Sequence, residues 1–118
     1  MSRIAKIMML GVVLAASASY FSGSSASAAE VTFSAEFMND PKNIAIGKGL
    51  FQKQCARCHG QRAYPGKAPK LKPEKYKADF VYRRITKGFR GMPGWKRRYN
   101  KLQRKSLTAY IMSKGFTN

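Results

Sequence analysis

Cys55, Cys58 and His59 fall within five consecutive residues, Cys55-Ala56-Arg57-Cys58-His59, and they are the only cysteines and the only histidine of the chain. Three chemistries use two cysteines at this spacing. A dithiol redox couple places its first cysteine at a helix start after a strand, where the helix dipole lowers the thiol pKa, and no strand pattern precedes Cys55. A structural zinc site takes four ligands, and the chain has no further cysteine or histidine to complete one. The third is covalent haem attachment, in which each thiol adds to a vinyl group and the adjacent histidine binds iron from the same side. The cysteine spacing is about one helical turn, which suits the separation of the two thioethers and aims the next side chain at the metal. The motif therefore predicts one thioether-linked haem c per chain, with His59 as an axial ligand.

Such an iron has one more position to fill. A second histidine is excluded by composition, which leaves methionine, lysine, tyrosine, an amine terminus, water or an open position. Met92 is the best placed of the methionines, because it lies in a loop between Gly91 and Pro93, whereas Met38 precedes the first helix and Met112 falls within the last. Gly91 allows close backbone approach and Pro93 stiffens the loop, so little entropy is lost in holding the thioether. The structural alternative is that Met92 fills a gap in the core.

The elements that must position these groups lie in a short chain. The 118 residues, 44% of them apolar, suit one small domain. The N-terminus reads as a secretory signal, with Arg3 and Lys6 ahead of an apolar run from Ile7 to Ala16 and a small-residue site at Ala26-Ser27-Ala28. That run is shorter than the roughly 18 to 20 residues that span a bilayer, so cleavage after Ala28 and a periplasmic location are expected. The domain is then 29–118, and 90 of the 118 residues remain. A chain of that size buries little, which makes a covalently held core group plausible. Two of the 23 basic residues leave with Arg3 and Lys6, and all 5 acidic residues stay, so the mature chain carries a formal +16. Such a field attracts nucleic acid, anionic membrane or an acidic protein, and export argues against the first.

Residues 30–39 show no period and read as a loose leader. Asp40-Pro41 has the chemistry of a helix start, and Ile44, Gly47, Phe51 and Gln54 to Cys55 share a helical face, predicting a helix from Pro41 to about Gln54. Gly47 and Gly49 each cost such a helix about 1 kcal/mol, which calls for a close helix crossing in return. Pro65, Gly66, Pro69 and Pro73 mark an ordered loop, with a short helical turn after Pro73. Asp79 is placed to cap a helix over Phe80 to Lys87 that stops at Gly88, with Val81 and Ile85 inward. Gly88 to Gly94 is a second irregular loop. Asn100 is placed to cap a last helix to Lys114, ending at Gly115, with an apolar stripe of Leu102, Leu107, Tyr110 and Ile111. The expected fold is all-α.

These motifs, in this order, resemble a class I cytochrome c over essentially the whole mature chain. The resemblance is carried by GKGLFQKQCARCH from Gly47 to His59, by Pro69-Lys70-Leu71, by Gly91-Met92-Pro93 and by Leu107 with Tyr110. It implies three to four helices wrapped around one haem c, with Gly47 and Phe51 packed across Leu107 and Tyr110. It also implies that the Pro69 carbonyl accepts a hydrogen bond from the His59 ring and that Leu71 packs on the haem face, with His59 and Met92 as the metal ligands.

A six-coordinate haem offers no open site, so the expected function is outer-sphere electron transfer by a monomeric carrier. A thioether opposite histidine, inside an apolar pocket, raises the potential; Leu71, Phe80, Val81, Ile85, Phe89 and Trp95 are the expected pocket, and would be ordinary core otherwise. Arg57, Lys67, Lys70, Arg90, Lys96, Arg97 and Arg98 come from the segments that bracket the haem and are expected to form a basic collar. The partner it fits is an acidic redox protein, a dehydrogenase, oxidase or reaction centre, and the charge also permits peripheral contact with an anionic membrane. A different class of function, a haem enzyme or a sensor of gas or peroxide, would require Met92 to be displaced. A cationic protein held on lipid or nucleic acid would account for the charge and leave the cysteine motif unexplained.

Overall fold

The computed structural model describes residues 30–117; the expected signal segment and its cleavage point lie outside them. Within this span the chain is helical, and among the described residues the β-type pairing is one isolated bridge, Phe89 with Met92.

The first helix, α1 (Ala35–Asn39), stands where a loose leader was expected. Ser34 Oγ caps it by accepting from the Phe37 N–H at 3.2 Å. What holds it is tertiary rather than periodic: Lys105 Nζ sits 4.1 Å from the Phe37 ring centre, and Phe33 meets Tyr82 edge to face at 5.6 Å. No local pattern in the sequence encodes those contacts.

Asp40 caps α2 (Pro41–Leu50) as expected, its carboxylate accepting from the Lys42 N–H at 2.8 Å, with Pro41 in the first turn. The helical path does not stop near Gln54. It passes through a π-helical turn, Phe51–Cys55, into α3 (Ala56–His59) and ends at Gly60, whose φ of +79° breaks it. Such π turns redirect the side chains that follow them and are frequent at functional sites; here the turn leads directly into the cysteine motif.

A 3₁₀ turn at Pro73–Lys75 precedes α4 (Ala78–Lys87), which begins two residues before the expected Phe80. Lys77 occupies the cap position without a side-chain bond, and Asp79 lies inside the first turn, where its charge favours the helix dipole instead of capping it. Gly88, at φ +75°, ends α4 as expected.

The last helix, α5 (Lys101–Met112), starts on a complete capping box: Asn100 Oδ1 accepts from the Gln103 N–H at 2.9 Å, and Gln103 Oε1 accepts from the Asn100 N–H at 3.0 Å. It ends before the expected Lys114 because the Ser113 N–H and hydroxyl both turn back onto the Tyr110 carbonyl. Leu102 is 52% exposed and lies outside the stripe, while Leu107, Tyr110 and Ile111 are buried.

α2 crosses α5 at Gly47, where an added Cβ would run into the Ser106 carbonyl and come within 2.8 Å of the Tyr110 Cβ. This contact accounts for Gly47; nothing lies within 4 Å of a Cβ at Gly49, so no packing accounts for that glycine. Phe51 meets Tyr110 at 5.6 Å and Phe116 at 5.1 Å, and these three rings lock the crossing. On the other side, the buried Arg104 of α5 donates from Nη1 to Thr86 Oγ1 of α4 at 2.8 Å and from Nε to the Asn100 carbonyl at 3.3 Å. Phe51, Val81, Ile85 and Ile111 of the core close one side of a large cavity and leave the other to the loops.

Candidate functional site

The cavity has a volume of about 550 Å³ and is walled mainly by apolar side chains. One wall is the helical run from the π turn into α3, which brings Cys55, Cys58 and His59 to it together. Pro69 and Leu71 approach from the loop after the motif, and α4 contributes Phe80, Val81, Arg84 and Ile85. Phe89, Met92, Pro93 and Trp95 close it from the second loop. Every expected pocket residue lines it, and among the described residues Met92 is the methionine that does.

Cys58 is exposed, whereas the Cys55 thiol is half-buried and pushed up to about 11, first by burial and then by the neighbouring Cys58. Burial holds the His59 imidazole below its ordinary pKa, so it stands neutral at pH 7, the form that ligates metals. Its Nδ1 is buried with no hydrogen-bond partner. The expected bond from this ring to the Pro69 carbonyl is therefore not made. The adjacent Ala68 N–H bonds at 2.8 Å to the Cys58 carbonyl, which seats the loop on the motif's backbone rather than on the ring.

The Met92 loop is fixed to the end of α4. The Trp95 N–H donates to the Ile85 carbonyl at 2.8 Å, the Lys96 N–H to the Thr86 carbonyl at 3.4 Å, and Phe89 and Met92 exchange two bonds of 2.9 Å. Gly94 is needed there, because a Cβ would press on the Lys87 carbonyl group at 2.8 Å. Gly91, expected to permit close approach, has no atom beyond its own chain neighbours within 4 Å of a Cβ, so Gly88 and Gly94 carry the tight contacts instead. Trp95 stacks on the buried Tyr99 at 5.7 Å, which holds its ring against the cavity.

Of the expected collar, Lys67, Lys70 and Arg90 line the cavity. Arg57, Lys96, Arg97 and Arg98 are exposed but do not reach it, so the structure gathers only part of the set. Sequence reasoning missed Arg84. Its guanidinium lies 3.9 Å from the Phe89 ring centre and 4.9 Å from that of Phe80, half-buried in the cavity wall with no carboxylate among the lining residues. The signal was present, since Arg84 follows Phe80 by four residues and shares its helical face.

Two thiols, a neutral imidazole with a spare buried nitrogen and a thioether thus border one apolar chamber, in the size range of cofactor sites. Among the described residues no three His, Cys, Asp or Glu side chains converge to chelate a bare ion. This donor set fits a large apolar group with its own metal, attached through both sulfurs. The pattern of the family described as "Cytochrome C oxidase, cbb3-type, subunit III" matches residues 42–111. The chain belongs to this family of c-type cytochromes, of class I.

Membership implies a covalently bound haem c, for which Cys55 and Cys58 are the cysteines present. Among solved structures the cytochrome resembles cytochrome CL from the marine methylotrophic bacterium Methylophaga aminisulfidivorans MPT, with a TM-score of 0.57 and 22% identity over 64% of this chain and 55% of that one. At that identity the likeness speaks for the fold, and the chain spans only about half the length of that protein. No curated protein matches it.

Proposed function

We propose that this cytochrome is an exported, periplasmic one-electron carrier that takes electrons from a dehydrogenase and delivers them to an acidic redox partner such as an oxidase or reaction centre. The observation that carries the reading is the single apolar cavity bordered by Cys55, Cys58, His59 and Met92. Haem c, when bound, supplies the one-electron iron couple. Cys55 and Cys58 would hold it through thioethers, and His59 and Met92 would furnish the nitrogen and sulfur ligands, leaving no position for a substrate. Leu71, Phe80, Val81, Ile85 and Trp95 exclude water and so disfavour the more highly charged oxidised state, as does a neutral thioether ligand. The Arg84 guanidinium, held against two phenyl rings in the cavity wall, adds positive charge that works in the same direction. Lys67, Lys70 and Arg90 stand at the cavity and would attract a carboxylate-rich surface to the place where electrons leave.

The test is expression of the full chain with a c-haem assembly system. The purified protein should gain the mass of one haem that survives denaturation, and Cys55→Ser with Cys58→Ser should abolish the gain. A haem removed by acid extraction, or none, would contradict the proposal.

A further inference from the structure

A second cleft, of about 280 Å³, lies apart from the large cavity and shares no lining residue with it. Lys48 and Gln52, one helical turn apart, form one side, and Gln61 and Arg62, just after the Gly60 break, form the other. Its remaining walls are Tyr110 and Gly115. Tyr110 is only 5% exposed, with its ring fixed by Phe51 and Phe116. Burial raises the Tyr110 phenol above its ordinary value, and the positive charge of Arg62, which lines the same cleft, works against that rise. Among the described residues, none of these five polar side chains forms a hydrogen bond, and no carboxylate lines the cleft.

We propose that this cleft is a binding site for a small divalent oxyanion of the phosphate type. Two cations, two carboxamides and a phenol supply donors on three sides, and none of them has to be withdrawn from an existing bond to engage a ligand. A guanidinium offers two parallel N–H groups to adjacent oxygens, and a lysine adds a point charge. The volume holds the ion with part of its water. Because the cleft is separate from the large cavity, an occupant does not compete with a redox partner at the Lys67 and Lys70 side, and the site is independent of the electron-carrier reading.

The experiment is a titration of the reduced, haem-loaded full chain with inorganic phosphate, at ionic strength held constant with sodium chloride and followed by backbone amide resonances. Saturable shifts confined to Gln61, Arg62 and Gly115 are expected. Binding should weaken at least tenfold in Arg62→Gln and in Lys48→Gln, both exposed positions whose replacement leaves the packing intact, and about threefold in Tyr110→Phe, which keeps the ring. Shifts that do not saturate, that spread equally to Arg97 and Lys101, or that persist in both charge variants would overturn the proposal.

Discussion

Among the described residues Met92 is the one thioether that lines the cavity, so Met92→Ala should leave the iron with His59 alone. The potential should then fall and an exogenous ligand should bind, which redox titration and carbon monoxide binding would report. Arg84 offers a subtler test. Arg84→Gln removes a cation from the wall while keeping a side chain of similar reach, and the potential should drop by tens of millivolts, on the scale of one partly screened charge interaction. An unchanged potential would mean that solvent already neutralises Arg84. The two residues differ in how they could be found. Cys55, Cys58 and His59 stood out in the sequence because covalent haem attachment imposes residue types at fixed local spacing, and Met92 because it lies in a loop between Gly91 and Pro93. Arg84 carries no such type signature, and its role comes from the rings of Phe80 and Phe89, the second supplied by a loop beyond the helix. The His59 to Pro69 bond was inferred from resemblance, and the backbone bond from Ala68 to Cys58 places the loop differently.

At the scale of elements, the crossing of α2 on α5 gives a paired prediction at two glycines. Gly47→Ala forces a methyl against the Ser106 backbone, which cannot yield without separating the helices, and should cost 2 kcal/mol or more on the overpacking scale of about 1 to 3 kcal/mol. Gly49→Ala meets open space and should be neutral or stabilising by up to about 1 kcal/mol through helix propensity. Denaturant unfolding of the two haem-loaded variants decides it, and equal effects would refute the crossing. The α4 to α5 brace yields another. Thr86→Val deletes the acceptor of the buried Arg104 guanidinium, and should cost about 1 to 3 kcal/mol in the same assay. Helix existence was readable here, because Asp40-Pro41, Gly88 and Asn100 are local signals. The boundaries and α1 were less so: Asp79 resembles a cap by type, but Lys77 takes the position, and α1 depends on Lys105 and Tyr82 far along the chain.

Over the whole molecule the charge is unevenly spread. Residues 41–73 and 80–117 contain no Asp or Glu, and all five acidic residues lie outside them. Association with an acidic redox partner should therefore slow steeply as salt rises, from rates of ~10⁸ M⁻¹s⁻¹ at low ionic strength. Lys67→Glu with Lys70→Glu should slow it further than Arg97→Glu with Arg98→Glu, since only the first pair lines the cavity; stopped-flow mixing measures both, and equal effects would show that net charge, not the rim, steers docking. The total charge was legible from composition, but which cations reach the cavity was not, because that depends on how two loops close. On the proposed reading, this cavity holds a haem with both axial positions filled by the chain. The most direct measurement is the absorption spectrum of the haem-loaded protein, oxidised and reduced, with and without carbon monoxide. A low-spin spectrum with a sulfur-to-iron charge-transfer band, unchanged by carbon monoxide and lost in Met92→Ala, is the predicted result. A high-spin or carbon-monoxide-binding iron in the unmodified chain would contradict it.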